Sequence, residues 1–206
     1  MIKFLWAILF FCGNPTFGQP VSEKIKQINL PKTFKYNGKF KDGLTWTDKA
    51  GIHTVFISET GIIPSRDRSE SDNRDAELFA YHYLKSNDTS MLVWKVYDGY
   101  LNCPVDVEAI FIKNTLAITD LNKDGNAEVW LMYKTVCHGD VSPSDLKIIM
   151  YENAQKFAAR GTTRAQVSET EYVGGNYTFD KAFTNGPRSF RQYANDLWQK
   201  NKTEAF

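Results

Sequence analysis

The sharpest chemical signal in the chain is the run Asp120-Leu121-Asn122-Lys123-Asp124-Gly125-Asn126-Ala127-Glu128. A hard cation needs several oxygen ligands converging on one point, and a tight loop with acids or amides at alternate positions supplies them. Asp120, Asn122 and Asp124 would contribute side-chain oxygens, Asn126 a backbone carbonyl and Glu128 a closing carboxylate, with Gly125 permitting the sharp turn. The expected ion is Ca2+ in a structural role, rigidifying a hairpin. An EF-hand is excluded: its bidentate glutamate would fall at Leu131, and the flanking sequence alternates like strands instead of helices. The alternative is a turn whose Asp and Asn side chains bond only their own backbone.

Other catalytic arrangements are absent or weak. His53, His82 and His138 are too scattered for a zinc motif, and there is no nucleophile elbow, phosphate-binding glycine loop or dinucleotide fingerprint. Glu70, Asp72, Asp75 and Glu77 crowd one segment and could in principle serve as the acid pair of a glycan hydrolase. Interspersed with Arg66, Arg68 and Arg74, they read better as a solvated loop from Ser65 to Glu77. Trp94 and Trp198 fall on apolar faces. Trp130 alternates with Glu128, Met132 and Lys134, so it is the better candidate for a glycan-stacking surface, although packing is preferred even there.

Residues 1–18 read as a cleavable secretory signal peptide. Lys3 supplies the positive start, and Phe4 to Phe11 form an apolar run too short to span a bilayer. Thr16-Phe17-Gly18 places small residues at the positions a signal peptidase inspects, which makes Gln19 the mature N-terminus. Cys12 opens a lipoprotein rival, but Phe10 and Phe11 precede it where a small residue is usual. The mature protein is expected to be exported, periplasmic or secreted, with no transmembrane segment. In an oxidising compartment the two remaining cysteines, Cys103 and Cys137, should form a disulfide; a nucleophilic Cys137 beside His138 is the weaker reading. Cleavage also removes one lysine and no acid, leaving a net charge of zero and no footprint for nucleic acid.

These groups need a scaffold, and the mature chain suits a single globular domain, residues 19–206. Short alternating runs cut by turn signals predict a mainly β fold, an antiparallel meander that closes as a sandwich or barrel, with an α+β arrangement as the alternative. The predicted strands are Leu44 to Thr47, His53 to Glu59, Leu78 to Lys85, Ser90 to Tyr97, Val107 to Ile112, Thr115 to Thr119, Ala127 to Val136, Leu146 to Tyr151 and Lys156 to Arg160. Phe190, Tyr193, Ala194, Leu197 and Trp198 then recur with helical period, predicting an amphipathic helix over about 188–201 that covers a sheet. The segment from Glu169 to Gly186 has no clear period.

The hairpin at Asp120 resembles the calcium hairpins of integrin-type FG-GAP repeats, with Glu128 where those carry Asp. One copy does not imply a propeller. More broadly, the stretch from Leu44 to Arg160 resembles a family of small exported bacterial proteins described as surface polysaccharide biosynthesis proteins. The blocks that carry the likeness are RDAELFAYHY (Arg74 to Tyr83), KVYD (Lys95 to Asp98), CPVDVEAIF (Cys103 to Phe111) and ITDLNKDGNAEVWLMYKTVCHGDVSPSDLKIIMYE (Ile118 to Glu152). The resemblance implies an accessory or binding role in making or assembling envelope polysaccharide of the lipopolysaccharide type, with that polymer or its assembly machinery as partner. It supplies no catalytic residues. A secreted glycan hydrolase and a protein-binding or inhibitor module are the alternatives.

Overall fold

The computed structural model describes residues 19–67 and 72–204; the expected signal peptide, Cys12, Arg68 and Glu70 lie outside them. The chain forms mainly antiparallel β structure with a C-terminal helix, as its periodicity predicts. One sheet is a five-stranded meander of β1 (Glu23–Lys24), β2 (Lys39–Asp48), β3 (Gly51–Pro64), β4 (Arg74–Ser86) and β5 (Thr89–Cys103), in that order. The second sheet contains β6 (Val107–Phe111), β7 (Ala117–Thr119), β8 (Glu128–Cys137), β9 (Asp145–Glu152), β10 (Gln155–Thr162) and β13 (Tyr177–Phe179). Its order is β13-β10-β9-β8-β6, and β7 also pairs with β8. A small ribbon of β11 (Arg164–Gln166) and β12 (Tyr172–Gly174) stands apart, followed by the helices α1 (Lys181–Asn185) and α2 (Arg188–Asn201).

Alternation along the strands sorts side chains into three cores. Leu44, Val55, Ile57, Leu78 and Val96 of the meander meet Val107, Val129, Leu131 and Ile149 of the second sheet, so the domain is a sandwich. The other face of the second sheet carries Trp130, Met132, Ile148, Met150 and Phe157, on which Phe183 of α1 and Phe190, Ala194 and Trp198 of α2 are buried. The outer face of the meander buries Phe56, Phe79, Tyr81 and Tyr83, covered in part by Phe34, whose ring stacks on Tyr83 at 3.8 Å.

Tight turns fall where the sequence signals them: Asn87, Asn114, Lys123 and Asn153 adopt positive φ between 53° and 61°. Pro187 precedes α2 as its N-cap. Asp180 caps α1 by accepting from the Phe183 N–H at 2.9 Å, and Arg191 of α2 donates to the carbonyls of Phe183, Thr184 and Gly186. Covalent and polar ties cross the sandwich. Cys103, ending β5, is bonded to Cys137, ending β8, with Cα atoms 5.9 Å apart. Asp98 of β5 accepts from Lys147 of β9 at 2.7 Å and from the Tyr133 hydroxyl of β8 at 2.9 Å.

Candidate functional site

Antiparallel pairing of Thr119 with Glu128 makes the predicted cation loop the connection between β7 and β8. Asp120 is buried, and its two oxygens accept the N–H groups of Asp124 and Gly125, each at 3.1 Å. Asp124 accepts the Asn126 N–H at 2.8 Å, and Asn122 accepts the Asp124 N–H at 3.2 Å. Glu128 is fully buried, and its carboxylate accepts the Leu121 N–H at 3.0 Å and the Thr119 hydroxyl. The Gln19 side chain clasps the Asp120 backbone, donating to its carbonyl at 2.8 Å and accepting its N–H at 3.2 Å.

One acid of this cluster escaped sequence reasoning. Glu152 of β9 lies directly across from Glu128 and accepts from the Asn122 amide at 2.8 Å. Only strand register reveals it, because 24 positions of sequence separate the two glutamates. Burial pushes the Glu128 carboxyl above its ordinary range even against the Thr119 and Leu121 donors. Burial, then the charge of Asp124, raises Glu152 as well. Among the described residues no Lys or Arg forms an ion pair with Asp120, Asp124, Glu128 or Glu152. The donor set is all oxygen, which suits a hard cation. As it stands, no three acidic, imidazole or thiol groups among the described residues are arranged to hold a metal ion. The oxygens are held by loop N–H groups, yet each ionised carboxylate keeps lone pairs beyond those bonds.

Next to the loop, a cavity of about 140 Å³ is lined by Pro20, Trp46, Thr47, Asp48, Asp120, Gly125 and Ala127. Asp48 reaches from there to His53, at 3.0 Å from Nε2, and His53 Nδ1 lies 2.9 Å from His82 Nε2. Both rings are buried, with Trp46 stacked on His53 at 4.6 Å. Among the described residues His82 Nδ1 has no hydrogen-bond partner. His53 and His82 are thus interior strand residues that face each other.

The remaining candidates are placed as follows. The segment before Leu78 is not the solvated loop the charges suggested: Arg74 opens β4, and Asp75 and Glu77 are buried. Arg66 makes that tolerable, with Nε 3.2 Å from Asp75 and Nη2 2.8 Å from Glu77, while the Asn102 N–H donates to Asp75 at 2.8 Å. Burial pushes the Asp75 carboxyl up, but the Asn102 and Arg66 donors outweigh it and hold it below the usual carboxylate range. Such a group stays ionised and is a poor proton donor. Trp130 is no stacking platform: it is fully buried against Tyr193 and Phe183 and donates its indole N–H to Thr119 at 2.8 Å. Its mixed strand neighbours misled because Glu128 is itself interior and α2 roofs this face.

Compared with known proteins, the chain matches no family model, no curated protein and no solved structure.

Proposed function

We propose that this protein is an exported, non-catalytic factor of the cell envelope that assists the making or assembly of surface polysaccharide, its Asp120 hairpin braced by calcium. The process is suggested by the likeness of the block Ile118 to Glu152, which also contains the hairpin, Cys137 and Glu152. The observation that carries the non-catalytic part is the fate of the acids that could do chemistry. Asp75 and Glu77 are both paired with one guanidinium, and Glu128 is spent on closing its loop. Calcium is supported by four clustered carboxylates without a basic ion-pair partner among the described residues, two of them directly opposed across strands, where like charges destabilise.

The test is the polysaccharide extracted from a strain lacking the gene, beside a turnover assay of the purified protein on the wild-type polymer. An altered polymer with no turnover is expected. An unchanged polymer removes the process, and turnover removes the non-catalytic role. A protein-binding role has one observation in its favour: β5 is the last strand of the meander and exposes Met91, Leu92, Val93 and Leu101.

A further inference from the structure

A protein that handles polysaccharide needs a place for sugar rings, and the tryptophans do not provide it: Trp46, Trp94, Trp130 and Trp198 are all buried. Among the described residues the exposed aromatic rings are Tyr97 and Tyr172, at 51% and 41%. One face of Tyr172 is already occupied, with the Arg164 guanidinium 4.3 Å from its ring centre.

Tyr97 differs in three ways. It lies on β5, the last strand of the meander, paired across from Phe79 of β4. Its ring stacks at 5.3 Å and 27° on Phe79, which is buried and carries Lys95 Nζ 4.9 Å from its centre. One side of Tyr97 is therefore fixed against Phe79, and about half of the residue stays open to solvent on the last strand of the sheet. Diagonal to Tyr97 across the β4–β5 pairing stands Glu77, whose carboxylate is clamped by Arg66, with the Arg66 side chain 61% exposed.

From this arrangement we infer that Tyr97, with Glu77 and Arg66 at its rim, forms a binding platform for a neutral hexopyranose unit of a polysaccharide. A pyranose presents an apolar C–H face that packs on an aromatic ring and a rim of hydroxyls that needs both acceptors and donors. Tyr97 offers the first, Glu77 an acceptor and Arg66 donors. Asp75 and Glu77 balance Arg66 and Lys95 in charge, so the platform has no net pull on a polyanion. The ring is held in place before ligand arrives, which lowers the ordering cost that weakens most exposed contacts.

The inference rests on the polysaccharide reading above but fails separately from it. The wild-type protein is applied to an array of defined neutral hexose, hexosamine and uronic acid oligosaccharides, and the best neutral binder is titrated against Tyr97→Ala, Tyr97→Phe and Tyr172→Ala. Tyr97→Ala should bind about tenfold more weakly, while Tyr97→Phe and Tyr172→Ala stay close to wild type. The circular dichroism of each variant checks its fold, and the Phe variant keeps the ring should the Ala variant misfold. No array binding, binding confined to uronic acids, equal affinity of Tyr97→Ala, or loss in Tyr97→Phe would each overturn the platform. Array binding with an unchanged polysaccharide in the deletion strain would sink the reading and leave the platform standing. An altered polysaccharide without array binding does the reverse.

Discussion

His53 Nδ1 and His82 Nε2 face each other at 2.9 Å inside the sandwich, so one nitrogen must hold the proton that the other accepts. Asp48 lies 3.0 Å from the far nitrogen of His53, whereas the far nitrogen of His82 has no hydrogen-bond partner among the described residues. Burial, then the neighbouring His53, depress the His82 pKa to about 3, with Asp48 opposing only in part.

Acid stability follows from this pair. Unfolded, His82 takes a proton near its ordinary value of about 6.5, whereas the folded protein keeps it neutral. The folded pKa is the lower one, so the contribution of His82 is complete above about 6.5 and is lost as the pH falls from there toward 3. The slope is about 1.4 kcal/mol per pH unit. Urea unfolding at several values between about pH 7 and pH 5 should show that loss in the wild type and a flatter profile in His82→Phe. Parallel profiles would take His82 out of the account.

The Cys103–Cys137 bond closes a loop across a sequence separation of 34. Chain entropy alone assigns such a closure about 3 to 4 kcal/mol. The oxidised protein should show no free thiol, and Cys137→Ala or reduction should lower the unfolding free energy by that amount. Two reactive thiols in the oxidised sample would contradict the bond.

Calorimetric titration decides the cation. Wild-type protein should give a saturable heat with Ca2+, at an affinity on the order of the millimolar range of extracellular sites. Asp124→Ala should give none. Equal heats from both, or none from either, would leave the hairpin held by its own hydrogen bonds. Glu128→Ala should be the more damaging substitution to the fold, because it strips the part-buried Leu121 N–H and Thr119 hydroxyl of their acceptor, at about 1 to 3 kcal/mol.

Helix α2 is anchored by Trp198, which is fully buried and donates its indole N–H to the Gly175 carbonyl at 2.9 Å. Trp198→Ala should cost about 3 to 5 kcal/mol, measured by denaturant unfolding. An effect below about 1 kcal/mol would mean that the helix adds little to the sheet it covers.

Much of this architecture was legible in the residues themselves. Phe190, Ala194 and Trp198 repeat at a spacing that only a helix can turn to one side, and α2 spans Arg188–Asn201 as that spacing predicts. Local alternation likewise located the long strands, but it is silent about which strands share a sheet, so sandwich and barrel stayed open until pairing was known. The beginning of β4 was hidden for a different reason. Asp75 looks like surface, and its interior place depends on Arg66 and on the N–H of Asn102, a residue 27 positions away. Glu152 was invisible beside Glu128 because register places them together. Trp130 was read against its neighbours in the strand, whereas its environment is set by a helix formed much later in the chain.

Strand β8 presents Trp130 and Met132 to the helices and Leu131 and Tyr133 to the opposite sheet. It is a party wall between two interiors, and neither side can be dismantled without exposing the other. The consequence is a molecule with few stable partial forms: the helical roof and the sandwich should melt in one transition, seen alike by probes placed on either side. The loop that ends in Glu128 is built into the start of this same strand, so whatever steadies the loop steadies both interiors at once.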